Sequence, residues 1–282
     1  TAAVLDQKIN QIASVIMLMN QGKGPDIIGM CEVENKPVLE KLLSALAPLG
    51  RNYIIKHHEG NDLRGIDIAF IVDQDLYAVE DQVFHYEVLK RSATRDIIQI
   101  NIKTKKGREI FLIGNHWPAR SAGQYESEPF RIMAAETLSY WLSRIFEIKT
   151  DRAAVVVMGD FNDEPFNRSM RDYAQSTPSR TRTNRGRLPY LYNLTEEWIP
   201  KVYGSYVFGN EQMMIDQIMV TKGISLTTGH FDLNRSSIEV FQHDDMVSGL
   251  YHTPVRFGRP AAGYNPNGYS DHLPIVFNLF EK

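Results

Sequence analysis

The chain has a single cysteine, Cys31, in 282 residues. That excludes an internal disulfide and any zinc site built from several thiolates. No apolar run approaches the ~18 residues of a membrane span. There is no basic excess either: 31 Lys and Arg stand against 34 Asp and Glu, for a net charge of −3. Such a balance argues against a protein that coats nucleic acid by charge, but not against one that cuts it. No repeat of roughly 20–50 residues is visible. Signatures of other enzyme classes are missing: there is no Gly-x-Ser-x-Gly, no His-Glu-x-x-His and no Walker loop, and Gly22-x-Gly24 lacks both the third glycine and a preceding strand. With 43% hydrophobic and 23% charged residues the composition is that of an ordinary globular chain. No linker-like break divides it, so one domain over residues 1–282 is expected. The chain opens on Thr1, not methionine. An exported address is expected if a signal segment was removed before Thr1, and a cytoplasmic one otherwise.

Hydrophobic spacing then places the elements. Ile9, Ile12, Ala13, Ile16 and Met19 predict a helix over about residues 6–20, stopped by Gly22, Gly24 and Pro25. Leu39, Leu42, Leu43 and Leu46 predict a second, with Pro37 in its first turn and Pro48 ending it. A third spans about residues 129–147, with Phe130, Ala134, Leu138, Trp141 and Ile145 on one face. Strands are predicted at Asp26–Cys31, Ile66–Val72, Ile97–Ile102, Glu109–Gly114, Ala153–Met158, Ile215–Val220 and Leu273–Leu279. Strict strand–helix alternation is absent, which argues against a simple doubly wound sheet. Two segments read as loops: residues 168–187, with six arginines against one acid, Asp172, and residues 248–270, rich in Gly, Pro, Tyr and Asn.

The informative feature is where the polar residues fall. Three predicted strands run into polar groups: Glu32, then Asn115 and His116, then Asp160 and Asn162. Two others begin with them: Asp216, and Asp271 with His272. If the second set runs antiparallel to the first, all meet at one sheet edge. Several carboxylates in one cleft repel each other unless a cation is present. Oxygen donors without thiolates suit a hard ion such as magnesium, manganese or calcium. Histidines beside carboxylates act as acids or bases near neutral pH. Metal, His and Asp together are equipment for phosphodiester chemistry.

The motifs CEVEN, NHWPAR, GDFN, MIDQIMV and SDHLP, in that order, resemble the endonuclease/exonuclease/phosphatase superfamily over about residues 5–280. EVEN, RGID and HWPAR look most like its bacterial nuclease-type members. The resemblance implies an α+β fold, a four-layer α/β/β/α sandwich of two mixed sheets flanked by helices. It implies a magnesium-dependent phosphodiesterase, manganese being a possible substitute, with DNA as substrate and no obligate protein partner; a monomer is expected. Glu32 matches the metal-holding glutamate and Asp271 an acid that supports the metal region; Glu34 is a weaker ligand candidate. His116 matches the histidine that touches the scissile phosphate. Asp160 matches the residue that orients or deprotonates the attacking water, and Asn162 the amide at the reacting centre. His272 matches the essential last histidine, paired with Asp216. Arg120 is the best candidate phosphate clamp, with Arg64 and Arg95 weaker ones. Trp117 either stacks on a base or packs. His57, His58, His85, His230, His243 and His252 match no motif.

Family members begin with a strand ending in an asparagine near the metal. Here the chain opens inside the following helix, where Asn10 and Asn20 cannot replace it, and residues 230–262 fit no family pattern. The inositol phosphatase branch is disfavoured by MIDQI. A sphingomyelinase-type or small-phosphate esterase is the alternative, and a non-catalytic binding protein a second. The arginines at 168, 171, 180, 182, 185 and 187 directly follow GDFN, so they are expected either to flank the cleft and grip phosphates or to form a merely solvated loop.

Overall fold

The computed structural model describes residues 1–121, 123–199, 203–259 and 261–282. Helix α1 (Ala2–Gly22) buries Ile9, Ala13, Ile16 and Met19 and breaks at Met19–Gln21, where Asn20 and Gln21 turn left-handed. Strand β1 (Ile27–Val33) leads to α2 (Lys36–Ala45), whose first turn holds Pro37. The Asn35 side chain accepts the Val38 N–H at 3.1 Å, a side-chain N-cap. Strands β2 (Tyr53–His57), β3 (Asp67–Asp73), β4 (Tyr77–Tyr86), β5 (Ile97–Thr104) and β6 (Glu109–His116) follow. Helix α3 (Gln124–Lys149) starts earlier than its apolar spacing predicts and carries Pro129 inside it. Next come β7 (Val155–Asp160), β8 (Ser176–Thr177), α4 (Arg180–Arg185), β9 (Leu191–Asn193), β10 (Tyr206–Phe208), β11 (Glu211–Met213), β12 (Asp216–Val220) and α5 (Lys222–Ser225). The chain closes with β13 (Phe231–Val240), two short hairpins, β14–β15 (Val247–Ser248, Thr253–Pro254) and β16–β17 (Gly258–Arg259, Gly263–Tyr264), and β18 (Ile275–Glu281).

Seven strands form one mixed sheet in the order β4-β5-β6-β7-β12-β9-β8. The β6–β7 and β8–β9 pairs are parallel and the rest antiparallel. The second layer is in two pieces, β1-β3-β2 and β13-β18. Strand alternation assigns the faces. Phe111, Ile113, Val155, Val157 and Met219 pack against α3. Their neighbours Ile110, Leu112, Val156, Ile218 and Val220 face the second layer, meeting Ile68, Phe70, Val72, Phe231 and Leu233. Burying each such side chain contributes about 1.5–3 kcal/mol. On the far side of that layer, α1 and α2 cover Val33, Ala69 and Ile71, and Val15 and Met19 of α1 reach Val240 and Leu273. One helix thus spans both pieces. The result is the four-layer α/β/β/α sandwich, and among the described residues no helix is long and apolar enough to cross a membrane.

Several expectations need correction. Strands β4 and β13 lie where no strand is predicted; each has a register break, between Val79 and Val83 and between Asn234 and Glu239, where polar residues interrupt the alternation. Strand β2 carries Lys and His among its apolar residues. Residues 168–187 are not one loop: they hold a π-turn (Ser169–Tyr173), β8 and α4. Nor do Arg180–Arg185 flank the cleft. Helix α4 packs on α5, with Arg180 Nε donating to the Ser225 carbonyl at 2.7 Å. Since α5 follows the end of β12 opposite Asp216, these arginines sit at the far end of the sandwich.

Gly159 sits in the GDFN strand end with φ 139°, and an added Cβ would lie 1.9 Å from the Asn115 carbonyl oxygen across the β6–β7 pair. The contact is backbone, so no side chain can yield. Gly159→Ala is expected to cost about 3 kcal/mol or more, read as a lowered urea midpoint; an unchanged midpoint contradicts this account of the strand end.

Candidate active site

Registers bring the polar strand ends together. His116 pairs with Asp160 in the parallel β6–β7 ladder, and Asp160 pairs with Asp216 across antiparallel β7–β12. Directly paired residues project to one face. By parity with Leu112, Val156 and Ile218 that face looks between the two layers, so the assumption about strand direction holds for Asp216. His116 Nε2 lies 3.6 Å from Asp160 Oδ2. His272 precedes β18 and is bridged to Tyr206 of β10; its Nδ1 is 2.7 Å from Asp216 Oδ2. Ligand-type atoms of Asp160, Asp216 and His272 all lie within 4.8 Å of one another.

The turn after β7 is tightly organised. Asn162 is left-handed, at φ 51°. Its backbone N–H donates to Asp160 Oδ1 at 2.8 Å, and its amide donates to Asp160 Oδ2 at 3.1 Å and to the Trp117 carbonyl at 3.0 Å. The Asn162 amide therefore orients Asp160. Arg120 donates to the Asn162 carbonyl at 2.6 Å, to Asp163 at 3.1 Å and to Asn167 at 3.0 Å. These bonds make Arg120 a brace of the GDFN turn, not the free phosphate clamp expected of it. Trp117 is buried, donates to Asn115 Oδ1 at 3.0 Å and packs edge-on against Phe161. Of the two alternatives it therefore packs, and its burial corrects the expectation of a substrate contact. Buried Arg95 holds the His116 and Trp117 carbonyls and pairs with Asp62, a structural role. Arg64 keeps its side chain about half exposed beside Asp62. Glu32 is exposed at the β1 bulge, left-handed with φ 59°. Glu34 is exposed just beyond β1.

Three residues escape the sequence reading. Lys8 of α1 donates to the Tyr269 carbonyl and interacts electrostatically with Asp271 and Glu32. Its signal was a lysine on an apolar stripe, between Leu5 and Ile12. Asp163 is buried and receives Arg120, Arg131 and the Ser169 hydroxyl. Arg256 is exposed, 5.6 Å from the Tyr206 ring centre, and that ring lies 4.6 Å from His272. It falls in the segment read as an irregular loop, where nothing singled it out.

Burial and charge set the protonation states. Burial, then the neighbouring Asp216 carboxylate, raises the Asp160 pKa well above the carboxylate range. Burial by itself would lower His272; Asp216, Asp160 and Asp271 together outweigh it and raise His272 to about 10. His116 goes the other way. Burial, then the positive charge of Arg95 and Arg64, holds it well below the usual histidine value, and its Nδ1 is buried without a hydrogen-bond partner. One histidine is thus a cation and the other a neutral ring. Burial also pushes the Cys31 thiol up, so it stays protonated.

This arrangement on a four-layer sandwich defines a class. Residues 1–281 match the family model described as Endonuclease/Exonuclease/phosphatase family, and the chain belongs to that family of phosphoester hydrolases. No curated protein matches it. Among solved structures it is similar to truncated Caenorhabditis elegans TDP2, at 16% identity and a TM-score of 0.60, covering 98% of this chain and 91% of that one. The human Nocturnin catalytic domain with bound sulfate shares 16% identity at TM-score 0.60, covering 96% and 86% of the two chains. The Bacteroides thetaiotaomicron mannosyl-6-phosphatase Bt3783 shares 16% at TM-score 0.57, covering 98% and 91%. At these identities the likeness is one of fold.

Imidazole NMR titration tests the two opposite states. His272 is expected to stay protonated at pH 8 and to titrate near 10, and to fall by more than one unit in Asp216→Asn. His116 is expected to stay neutral at pH 6. A His272 midpoint near the free value of about 6.5 contradicts the charge arrangement.

Proposed function

We infer that the protein is a divalent-cation-dependent phosphodiester hydrolase acting on DNA. The observation that carries the chemistry is the His116–Asp160–Asp216 row with the His272 cation locked to Asp216. Asp160, ionised and held by both Asn162 donors, takes the proton of the attacking water. The raised pKa suits it to this role, since a base works best near the operating pH. His272 carries positive charge toward the phosphoryl oxygens, while Asp216 fixes its ring and tautomer. Neutral His116 supplies an N–H donor, not a charge. Asn162, Arg120 and Arg95 act by positioning.

The donors near the edge fit a hard cation: Glu32 and Asp271 offer carboxylate oxygens, the Cys31 thiol is protonated, and His272 is engaged with Asp216. Glu32 and Asp271 would hold the magnesium ion, with manganese as substitute. When bound, it supplies neutralisation of phosphate oxygens and polarisation of the phosphorus. Lys8 adds a positive charge of its own beside both carboxylates.

The DNA reading rests on the rim. Phe208 is two residues beyond Tyr206 on β10, so both project to the same face. Tyr206 touches the His272 ring, and Phe208 stands exposed further out. An exposed aromatic beside the reacting edge is a stacking platform for a base, and Arg64 and Arg256 offer guanidinium groups for flanking phosphates. A second reading, a small phosphate ester, is favoured by the arginine-rich α4 lying at the far end, where it cannot grip a long polyanion near the cut.

A cleavage panel of plasmid DNA, a nitrophenyl phosphodiester, sphingomyelin vesicles and a hexose 6-phosphate, with and without magnesium, separates them. Magnesium-dependent DNA cleavage is expected, and turnover of the hexose phosphate alone refutes the DNA reading. Asp160→Asn and His272→Ala are expected to lose on the order of a hundredfold or more in kcat with the fold intact; near-wild-type rates refute the assignment. Phe208→Ser is expected to lower kcat/KM on DNA about tenfold, the scale of one stacked base, and to leave the nitrophenyl substrate unchanged. Glu32→Gln is expected to raise the half-saturating magnesium concentration, and an unchanged value removes Glu32 from the metal site.

A further inference from the structure

We propose that His58, His85 and Asp96 form a second cation site, for a divalent transition metal of the zinc type, apart from the Asp160–Asp216–His272 grouping. The three residues come from different parts of the chain. His58 follows the last residue of β2, His85 lies near the end of β4, and Asp96 immediately precedes β5. His85 pairs with Ile98 across β4–β5, and Asp96 is two residues before Ile98, so both belong to the same face of the sheet. The neighbouring turn is fixed from the other side: His57 Nε2 sits 3.0 Å from Asp67 Oδ2, and the Gly60 N–H donates to Asp67 Oδ1 at 3.0 Å. That leaves His58 directed at Asp96.

The geometry gathers three ligand-type groups around one carboxylate oxygen. His85 Nδ1 is 3.2 Å and His58 Nε2 is 3.8 Å from one oxygen, Asp96 Oδ2. The two imidazoles stack with centroids 3.7 Å apart and planes within 17°. One ligand atom from each residue lies within 4.8 Å of the other two. A tetrahedral zinc with bonds of about 2.0–2.1 Å spaces its ligand atoms by about 3.3 Å. A metal lies in the plane of the imidazole that binds it, so one of the two stacked rings must turn toward Asp96 to seat an ion with the other. Asp96 is buried while the two rings are partly exposed, which leaves a position open to water. Two imidazoles with one carboxylate select zinc-like ions over magnesium, the reverse of the oxygen donors at Glu32 and Asp271. An ion here would join β4 and β5 to the turn that carries Asp62 and Arg64. Asp62 is the partner of Arg95, whose guanidinium holds the His116 and Trp117 carbonyls, so the ion would stiffen the wall beside the reacting edge.

The test is zinc uptake by the whole chain in excess magnesium, by equilibrium dialysis with metal analysis, and the visible spectrum after cobalt substitution. Wild type is expected to bind one zinc that His85→Gln and His58→Gln lose or bind at least a hundredfold more weakly, and to show tetrahedral cobalt bands that both variants lack. Both substitutions replace partly exposed rings, and thermal melts confirm folding. Asp216→Asn, which dismantles the other grouping, is expected to keep the zinc and the bands. Equal uptake by wild type and His85→Gln, no uptake by wild type, or loss in Asp216→Asn alone overturns the proposal.

Discussion

Two carboxylates stand opposite each other at the end of the β7–β12 ladder, buried Asp160 against partly buried Asp216. Like charges in this position repel and destabilise an antiparallel pair. The strands hold the register all the same, because their next residues are core: Met158 and Val156 of β7 pair with Ile218 and Val220. Slipping by one residue would send every apolar side chain to the wrong face. The fold thus forces the two acids together, and the surrounding groups compensate. His272 answers Asp216, and the Asn162 donors answer Asp160.

The same enclosure sorts the two histidines. His272 is partly buried, but three carboxylates surround it and keep its proton on. His116 is buried next to Arg95 and Arg64, which disfavour a second positive charge. Identical side chains become a cation and a neutral donor because burial disfavours charge on both and only His272 has carboxylates that outweigh it. Behind them lies a layer of buried ion pairs. Asp163 collects Arg120 and Arg131, the latter fully buried at 2.7 Å. Removing one partner of such a pair strands the other charge in the interior, at about 3–5 kcal/mol. This layer fixes the GDFN turn, and the turn aims Asp160.

Much of this was legible in the sequence, for physical reasons. Apolar runs such as Ala153–Met158 admit one reading because they are buried on both faces. Polar residues at the strand ends share an edge once the strand directions are set, which makes the grouping of Asp160, Asp216, His116 and His272 legible. Other parts were illegible for equally definite reasons. Strands β4 and β13 carry register breaks that disrupt the alternation. The arginines of α4 follow GDFN in sequence, but distance along the chain says nothing of which end of a sheet a segment reaches. Arg120 and Trp117 were chosen for what their side chains can do, whereas burial and hydrogen bonding decide what they are free to do. Lys8 and Asp163 act through tertiary contacts that no local pattern announces.

The central claim is that the Asp216 carboxylate, set opposite Asp160 in the ladder, raises the pKa of both Asp160 and His272. The pH dependence of kcat/KM tests it most directly, on wild type and on Asp216→Asn. Asp216 raises both the Asp160 and the His272 pKa. A reaction that needs Asp160 ionised and His272 protonated runs between those two values. Removing the Asp216 charge must therefore move both limbs of the profile to lower pH. Movement of both limbs by a unit or more is the predicted result. An acid limb that stays in place while the alkaline limb moves, or a profile that does not move, would contradict the account.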